Sequence, residues 1–259
     1  MYTYTSQKRI NESHAYLLCM VRYYEVDTVR GVALLCMIAY HTVFCLYFFT
    51  DIVPWFNPAV HSGAPIACAF ISVAGLSLVL AKAKPKRYLI RGAELIGFGL
   101  LITLVTWIFY PSGFVVFGVL SLIGLGTILA VPFISPKVKW FIPAAVGAAV
   151  VLAGIIVSKI YLTIPYLIPL GFKVYGFSTL DYEPLLPWFG VLLLGLALGK
   201  LLYPSGVRRP FLEKLGGMPK ILSPLCFIGR HTLIIYLAHV PVIIGILILT
   251  GVVDIGVFF

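Results

Sequence analysis

Two histidines in apolar segments are the residues of this chain whose type and spacing point most directly to chemistry. His41 lies eleven residues after Arg30 within one run, EVDTVRGVALLCMIAYH. In an α-helix this spacing places both side chains on one face, about 16 Å apart along the axis. Arg30 would then lie near a membrane surface and His41 near mid-bilayer. Ionisable groups at that depth are costly and mark functional sites by default, although a histidine can also fill a packed interhelical gap.

A second histidine repeats this arrangement near the C-terminus. In IGRHTLIIYLAHVP, His239 follows Arg230 by nine residues, a rise of about 14 Å in a helix. His239 is therefore expected at nearly the same depth as His41. Pro241 frees a backbone carbonyl one turn earlier and is expected to bend the helix beside His239. The sequence thus predicts a pair of intramembrane histidines, each above an arginine at the same surface.

Membrane-spanning helices must position these residues. The chain is 61% hydrophobic and 11% charged, whereas soluble domains average about 25% charged residues. Its formal charge of +10 would suggest a nucleic-acid partner in a soluble protein, but here the basic residues fall between apolar segments. We therefore predict an all-α integral membrane protein with no nucleic-acid partner, a bundle of about seven transmembrane helices. The predicted spans are 31–50, 59–81, 89–109, 114–134, 140–162, 185–203 and 231–253.

The lysines and arginines predict the orientation of this bundle. With seven spans, all 19 of them except Lys159 and Lys173 fall on the side of the N-terminus. Basic residues accumulate on the cytoplasmic side of membrane proteins. The N-terminus is therefore predicted in the cytoplasm and the C-terminus outside, in a multi-pass protein of the cell membrane. Residues 1–24 are predicted to form a cytoplasmic or interfacial segment, and residues 25–259 a single transmembrane domain.

The links between the spans carry further polar candidates. The outer link at about 163–184 is the longest, and long loops in compact membrane proteins are often functional. Its Asp181 and Glu183 could contact a substrate outside the membrane, and ordinary hydration explains them equally well. On the basic side, some arginines could bind the phosphates of a nucleotide, because guanidinium groups match phosphate geometry. Glu94 could pair with Arg91 or with Arg30. The polar residues form no set with metal-ligand spacing, so no metal site is expected.

Six stretches carry a resemblance to a known family. They are RYYEVDTVRGVALLCMIAYH (22–41), FISVAGLSL (70–78), RGAELIGFGLLITLVTW (91–107), FGVLSLIGLG (117–126), DYEPLLPWFGVLLLGLALG (181–199) and FIGRHTLIIYLAHVP (227–241). Together they resemble the heparan-α-glucosaminide N-acetyltransferase catalytic-domain family. The first and last stretches are the most specific, while the middle ones consist mostly of helix-packing glycines. Ser121 and Val240 depart from the histidine and glutamine expected there in many relatives.

The resemblance implies a transmembrane acyltransferase. Such an enzyme takes an acetyl group from cytosolic acetyl-CoA, or another acyl group from its acyl-CoA, and delivers it to a sugar or glycan outside. His41 would act as general base on the acceptor or carry the acetyl group transiently. An animal member has a functional histidine in the outer loop that follows, where this chain has Asp51 and His61, so His41, His239, Asp51 and His61 are the catalytic candidates. The candidates for binding the acyl donor are Asp27, Arg30, Arg87, Arg91 and Arg230, with Asp27 holding Arg30 in place.

Two other functions are compatible with the residues. A transporter or channel for a small polar or lipidic solute would use His41 and His239 to line a polar path. The absence of an inverted repeat argues against it. A non-catalytic scaffold would leave the cost of two buried histidines unexplained. The expected partners are the lipid bilayer, the acyl-CoA donor and a glycan or sugar-lipid acceptor, and a homodimer is left open.

Overall fold

The computed structural model describes residues 23–254, except residues 59 and 164, as a bundle of apolar α-helices. The predicted N-terminal segment lies outside the described residues apart from Tyr23 and Tyr24. In chain order the helices are α1 Tyr24–Phe49, α2 Ala64–Leu80, α3 Pro85–Phe109, α4 Val119–Ile134, α5 Phe141–Val157, α6 Leu185–Leu202, α7 Pro210–Glu213, α8 Ser223–Arg230 and α9 Thr232–Leu249.

The long helices agree with the predicted membrane protein. Within the described residues, α1, α3, α6 and α9 are long and apolar enough to cross a bilayer. The helices α2, α4 and α5 are apolar but shorter, at 17, 16 and 17 residues. Leucines and isoleucines on the outer faces, such as Leu100, Ile108 and Leu249, are strongly exposed, which suits contact with lipid. The protein is therefore an all-α membrane protein, while the number of spans and the orientation of the termini stay predictions.

The helices α4 and α5 are shorter than the apolar segments that contain them, because the neighbouring backbone forms hydrogen bonds with other parts of the chain. The helix α4 begins at Val119 rather than near 114, because residues 113–117 run beside residues 180–183. The backbone N–H of Leu180 donates to Gly113 and that of Glu183 donates to Phe117, both at 2.9 Å. The helix α5 ends at Val157, and the chain then forms strand β1, Tyr161–Leu162, which pairs in parallel with β2, Lys173–Val174. The long outer link is thus folded against the bundle.

Charged residues anchor the start of α1 to the chain between α6 and α9. The carboxylate of Glu25 accepts hydrogen bonds from the guanidinium of Arg208 and, at 2.9 Å, from the hydroxyl of Tyr203. Asp27, only 6% exposed, accepts from Arg30 and Arg230 at 3.2 Å each. Asp27 therefore holds Arg30, as predicted. The end of the bundle where α1, α3 and α9 begin is called the basic end below.

A backbone contact accompanies these ion pairs. Gly31 of α1 faces the carbonyl of Leu225, and Gly229 of α8 faces the carbonyl of Asp27. A Cβ at either glycine would overlap those backbone atoms. Helices in membranes approach this closely where small residues let the backbones touch. The contact fixes how α8, and the helix α9 that follows it, lie along α1.

Replacement of Gly229 by alanine should destabilise the fold. The added methyl group collides with the main chain of α1, and such overpacking costs about 1–3 kcal/mol or more. The melting temperature of the purified Gly229→Ala protein in detergent should fall by several degrees. The matched control is Gly97→Ala on α3, where nothing lies within 4 Å of the new Cβ. Equal melting temperatures for the two variants would contradict the backbone contact.

Candidate active site

The two intramembrane histidines meet inside the bundle. The ring centroids of His41 on α1 and His239 on α9 lie 4.9 Å apart, with the ring planes inclined at 74°. His239 is 7% exposed, and His41 is half-buried. The structure thus brings together His41 and His239, which the sequence spacing placed at one depth. The chemical role of the pair stays a prediction.

Hydrogen bonds define the tautomer of each ring. The Nδ1 atom of His41 lies 2.9 Å from the carbonyl oxygen of Met37. A carbonyl can only accept, so Nδ1 carries the proton and Nε2 of the neutral ring carries a lone pair. His239 donates from Nδ1 to the carbonyl of Tyr236 in the same way. Its Nε2 atom is buried and has no hydrogen-bond partner among the described residues. In the neutral form of either ring, Nε2 is therefore the nitrogen without a proton.

His41 lines a cavity of about 280 Å³ between α1, α2, α6, α9 and the end of the outer link. Aromatic side chains form much of its wall, and polar groups gather near His41. Among the described residues that line it, none is a lysine or arginine. The aromatic members are Tyr40, Phe44, Phe70, Tyr182, Trp188 and Tyr236, and the polar members include His41, Ser62, Asp181 and Glu183.

The outer link supplies the carboxyl groups of this cavity. The backbone N–H groups of Val119 and Tyr182 lie near the Asp181 carboxyl group and act to lower its pKa. Val119 is the first residue of α4, and a helix N-terminus favours negative charge. Gly118 leaves room for this approach, because a Cβ there would lie 2.6 Å from Oδ2 of Asp181. Asp181 and Glu183 therefore face the cavity beside His41 rather than sitting on an open loop.

Burial governs the ionisation of both carboxyl groups. It raises the pKa of Asp181, while the charge of His41 and the two N–H donors act in the opposite direction. Burial also raises the pKa of Glu183 to about 8, and the charge of Asp181 adds to this effect. The Oε2 atom of Glu183 is buried without a hydrogen-bond partner among the described residues. At neutral pH Glu183 thus carries a proton, and the cavity holds at most one negative charge from this pair.

The remaining catalytic candidates lie outside the cavity. Asp51 and His61 are both exposed in the link between α1 and α2. The His61 ring stacks on Phe56 with centroids 5.5 Å apart, and its Nδ1 atom lies within hydrogen-bond distance of the backbone of Asn57. The structure therefore does not bring Asp51 and His61 to the histidine pair.

The residues proposed to bind the acyl donor lie at the basic end. Arg87 and Arg91 are exposed in the first turns of α3, and Arg91 pairs with Glu94 at 3.2 Å, one of the two predicted partners. Arg30 and Arg230 share the carboxylate of Asp27, so their first role is structural. Within the described residues no group of three or more His, Cys, Asp or Glu side chains is arranged to hold a metal ion.

Three aromatic residues that line the cavity were not predicted from the sequence. Tyr40 and Tyr236 stand one and three residues before the two histidines, and Trp188 lies in the first turn of α6. Aromatic residues in apolar helices are most often packing or interfacial residues, so their type gave no signal. Their proximity in sequence to a buried histidine was the signal that could have identified the two tyrosines.

Comparison with known proteins assigns the chain to a family. The family model described as "Heparan-alpha-glucosaminide N-acetyltransferase, catalytic" matches residues 22–241, which include both histidines and both cavity carboxyl groups. Curated proteins and solved structures give no match. The matched range covers most of the 259 residues. The chain therefore belongs to the heparan-α-glucosaminide N-acetyltransferase catalytic family, a family of membrane acetyltransferases.

Proposed function

We propose that this protein transfers an acetyl or other acyl group from acyl-CoA to a sugar or glycan acceptor outside the membrane. The observation that supports this proposal is the position of His41 at the wall of a cavity of about 280 Å³, with Nδ1 hydrogen-bonded to Met37 so that Nε2 is the nitrogen able to accept a proton. An acceptor amine or hydroxyl attacks the thioester carbonyl and forms the new C–N or C–O bond. His41 accepts the acceptor's proton, the C–S bond breaks, and the leaving CoA thiolate receives the proton.

The hydrogen bond to Met37 prepares His41 for the role of general base. Because Nδ1 donates to a helix carbonyl, the ring keeps one orientation and Nε2 remains the nitrogen available to the cavity. His239 packs its ring against His41 from α9, with the ring centroids 4.9 Å apart. A positioned general base accelerates such a transfer by about 10²–10⁴-fold. In this proposal His41 moves the proton and His239 fixes its surroundings.

The distribution of charge supports the binding of the two ends of acyl-CoA in two different regions of the protein. The cavity holds two carboxyl groups and, among its described lining residues, no lysine or arginine, so it does not suit CoA phosphates. Exposed guanidinium groups at the basic end, Arg87 and Arg91, do suit them. A cavity of this size accommodates the acyl end of the donor with the reacting end of the acceptor. We infer that the nucleotide binds at the basic end and that the pantetheine arm extends toward His41.

Acetyl-CoA should stabilise the purified protein in detergent. A ligand that binds the folded state at a hundredfold excess over its Kd adds about 2.7 kcal/mol, which should raise the melting temperature by roughly 5–10 °C. Transfer of labelled acetyl to a glucosamine or oligosaccharide acceptor is measured in parallel, with acetate and free CoA as controls. No shift with any acyl-CoA, together with solute uptake by proteoliposomes, would favour the transporter instead.

The His41→Ala variant should lose acyl transfer while keeping its fold. Removal of the general base should lower the rate of transfer by about 10²–10⁴-fold, with a melting temperature close to that of the wild type. His231→Ala is the matched control, because His231 is exposed and packs on Phe227 at the edge of α9. Normal transfer by His41→Ala would refute the assignment of His41.

The raised pKa of Glu183 should be visible in the stability of the protein. Its carboxyl titrates near 4.5 when unfolded and near pH 8 when folded, so between these values the folded state holds the extra proton. The contribution of Glu183 to the free energy of unfolding is then greatest below about pH 4.5 and decreases as pH rises toward 8. The melting temperature of Glu183→Gln should fall less over this range than that of the wild type. Parallel curves would contradict the buried, protonated carboxyl, and Glu213→Gln, at an exposed position, is the control.

A further inference from the structure

We propose that Asp181 is a positioning residue that stabilises the protonated form of His41 during acyl transfer. This inference rests on the proposed function of His41 as proton acceptor. Asp181 and His41 line the same cavity and interact electrostatically, although they come from the outer link and from α1. Because Met37 occupies Nδ1 of His41, the proton from the acceptor arrives at Nε2. The ring then becomes a cation in a largely aromatic wall, and a nearby carboxylate offsets the cost of that charge.

The carboxyl group of Asp181 is held in place for this role. Burial raises its pKa, while the nearby backbone N–H groups of Val119 and Tyr182 act in the opposite direction and favour the ionised form. The surrounding chain is fixed as well: the Thr179 hydroxyl donates to Phe114 at 2.7 Å, and Leu180 donates to Gly113 at 2.9 Å. The hydrogen bonds of Leu180 and Glu183 to residues 113–117 restrain the main chain on both sides of Asp181, which keeps its carboxyl group at the cavity when the charge on His41 changes. When it is ionised, Asp181 therefore places its negative charge at a fixed position beside His41.

The other titratable groups around Asp181 do not take over this role. From α1 it faces Tyr40 and His41, from α9 Tyr236, and from its own link Glu183. The tyrosines are neutral phenols, and Glu183 carries its proton at neutral pH. His239 lies behind His41 and offers only a neutral ring. Asp181 is thus the described group in this cavity that can carry negative charge beside His41.

The chemical step leaves Asp181 unchanged. The acceptor's nitrogen or oxygen forms a bond to the thioester carbonyl while its proton passes to Nε2 of His41. The C–S bond then breaks, and the CoA thiolate takes the proton from the imidazolium. Asp181 neither gains nor loses a proton. It acts by lowering the free energy of the intermediate charge on the ring.

Asp181→Asn tests this role through the kinetics of transfer. The variant should lower kcat at least tenfold and leave the KM for acetyl-CoA nearly unchanged, because the nucleotide binds elsewhere. The acid limb of its pH–rate profile should move to lower pH, and Asp181→Glu should recover part of the rate. Asp254→Asn, the same change at an exposed carboxylate, is the control. An unchanged kcat, or a lower kcat with an unshifted profile, would overturn the proposal.

An infrared titration tests the same contact without relying on activity. The band of the protonated Asp181 carboxyl is identified by its absence in Asp181→Asn. The charge of His41 lowers the pKa of Asp181, so in His41→Ala this band should persist to higher pH than in the wild type. Identical titrations would overturn the proposal even if His41→Ala has lost transfer. If the titration shifts in His41→Ala but the wild-type protein transfers no acyl group, the contact between Asp181 and His41 stands and the proposed function is refuted.

Discussion

The contact between α1 and α8 fixes how far these two helices are shifted along each other. The meeting of His41 and His239 depends on this alignment. Gly31 and Gly229 each lie against a main-chain carbonyl of the other helix, so the backbones meet at one defined point. Arg30 reinforces it with a hydrogen bond of 3.3 Å to the carbonyl of Gly229. Each histidine stands ten residues beyond its glycine: Gly31 and His41 are about 15 Å apart along α1, and the path from Gly229 to His239 passes the turn at His231 into α9. The imidazoles meet at one depth because the two glycines meet at the basic end.

The opposite end of the bundle is organised by the outer link instead. Residues 180–183 lie along residues 113–117, and this pairing carries two carboxyl groups from a loop into the bundle. Asp181 then lies beside the first turn of α4. A side chain at Gly118 would collide with its carboxyl group. The histidines are thus positioned by helix packing and the carboxyl groups by strand-like pairing. The cavity exists where these two systems meet.

The sequence predicted what periodicity and spacing encode. Apolar runs located α1 to α6 and α9, and rises of 1.5 Å per residue placed His41 level with His239. Contacts between distant residues were not predictable in this way: Glu25 and Arg208 are 183 positions apart, and Thr179 and Phe114 are 65. Asp181 and Glu183 were identified only as loop residues with an even chance of binding a substrate. Their folding into the cavity depends on hydrogen bonds between backbone groups, which carry no signature of residue type.

Charge divides the bundle in a way that matches the proposed reaction. Guanidinium groups cluster at the basic end, whereas the cavity beside His41 holds carboxyl groups and aromatic rings. The phosphates of an acyl-CoA are highly charged, but its acyl group and most of its pantetheine arm are not. In the proposed reaction only the uncharged part of the donor has to enter the bundle, which avoids burying phosphate charge in the membrane. A transporter would have to carry its whole solute past both regions, whereas a transferase needs only the thioester to reach His41.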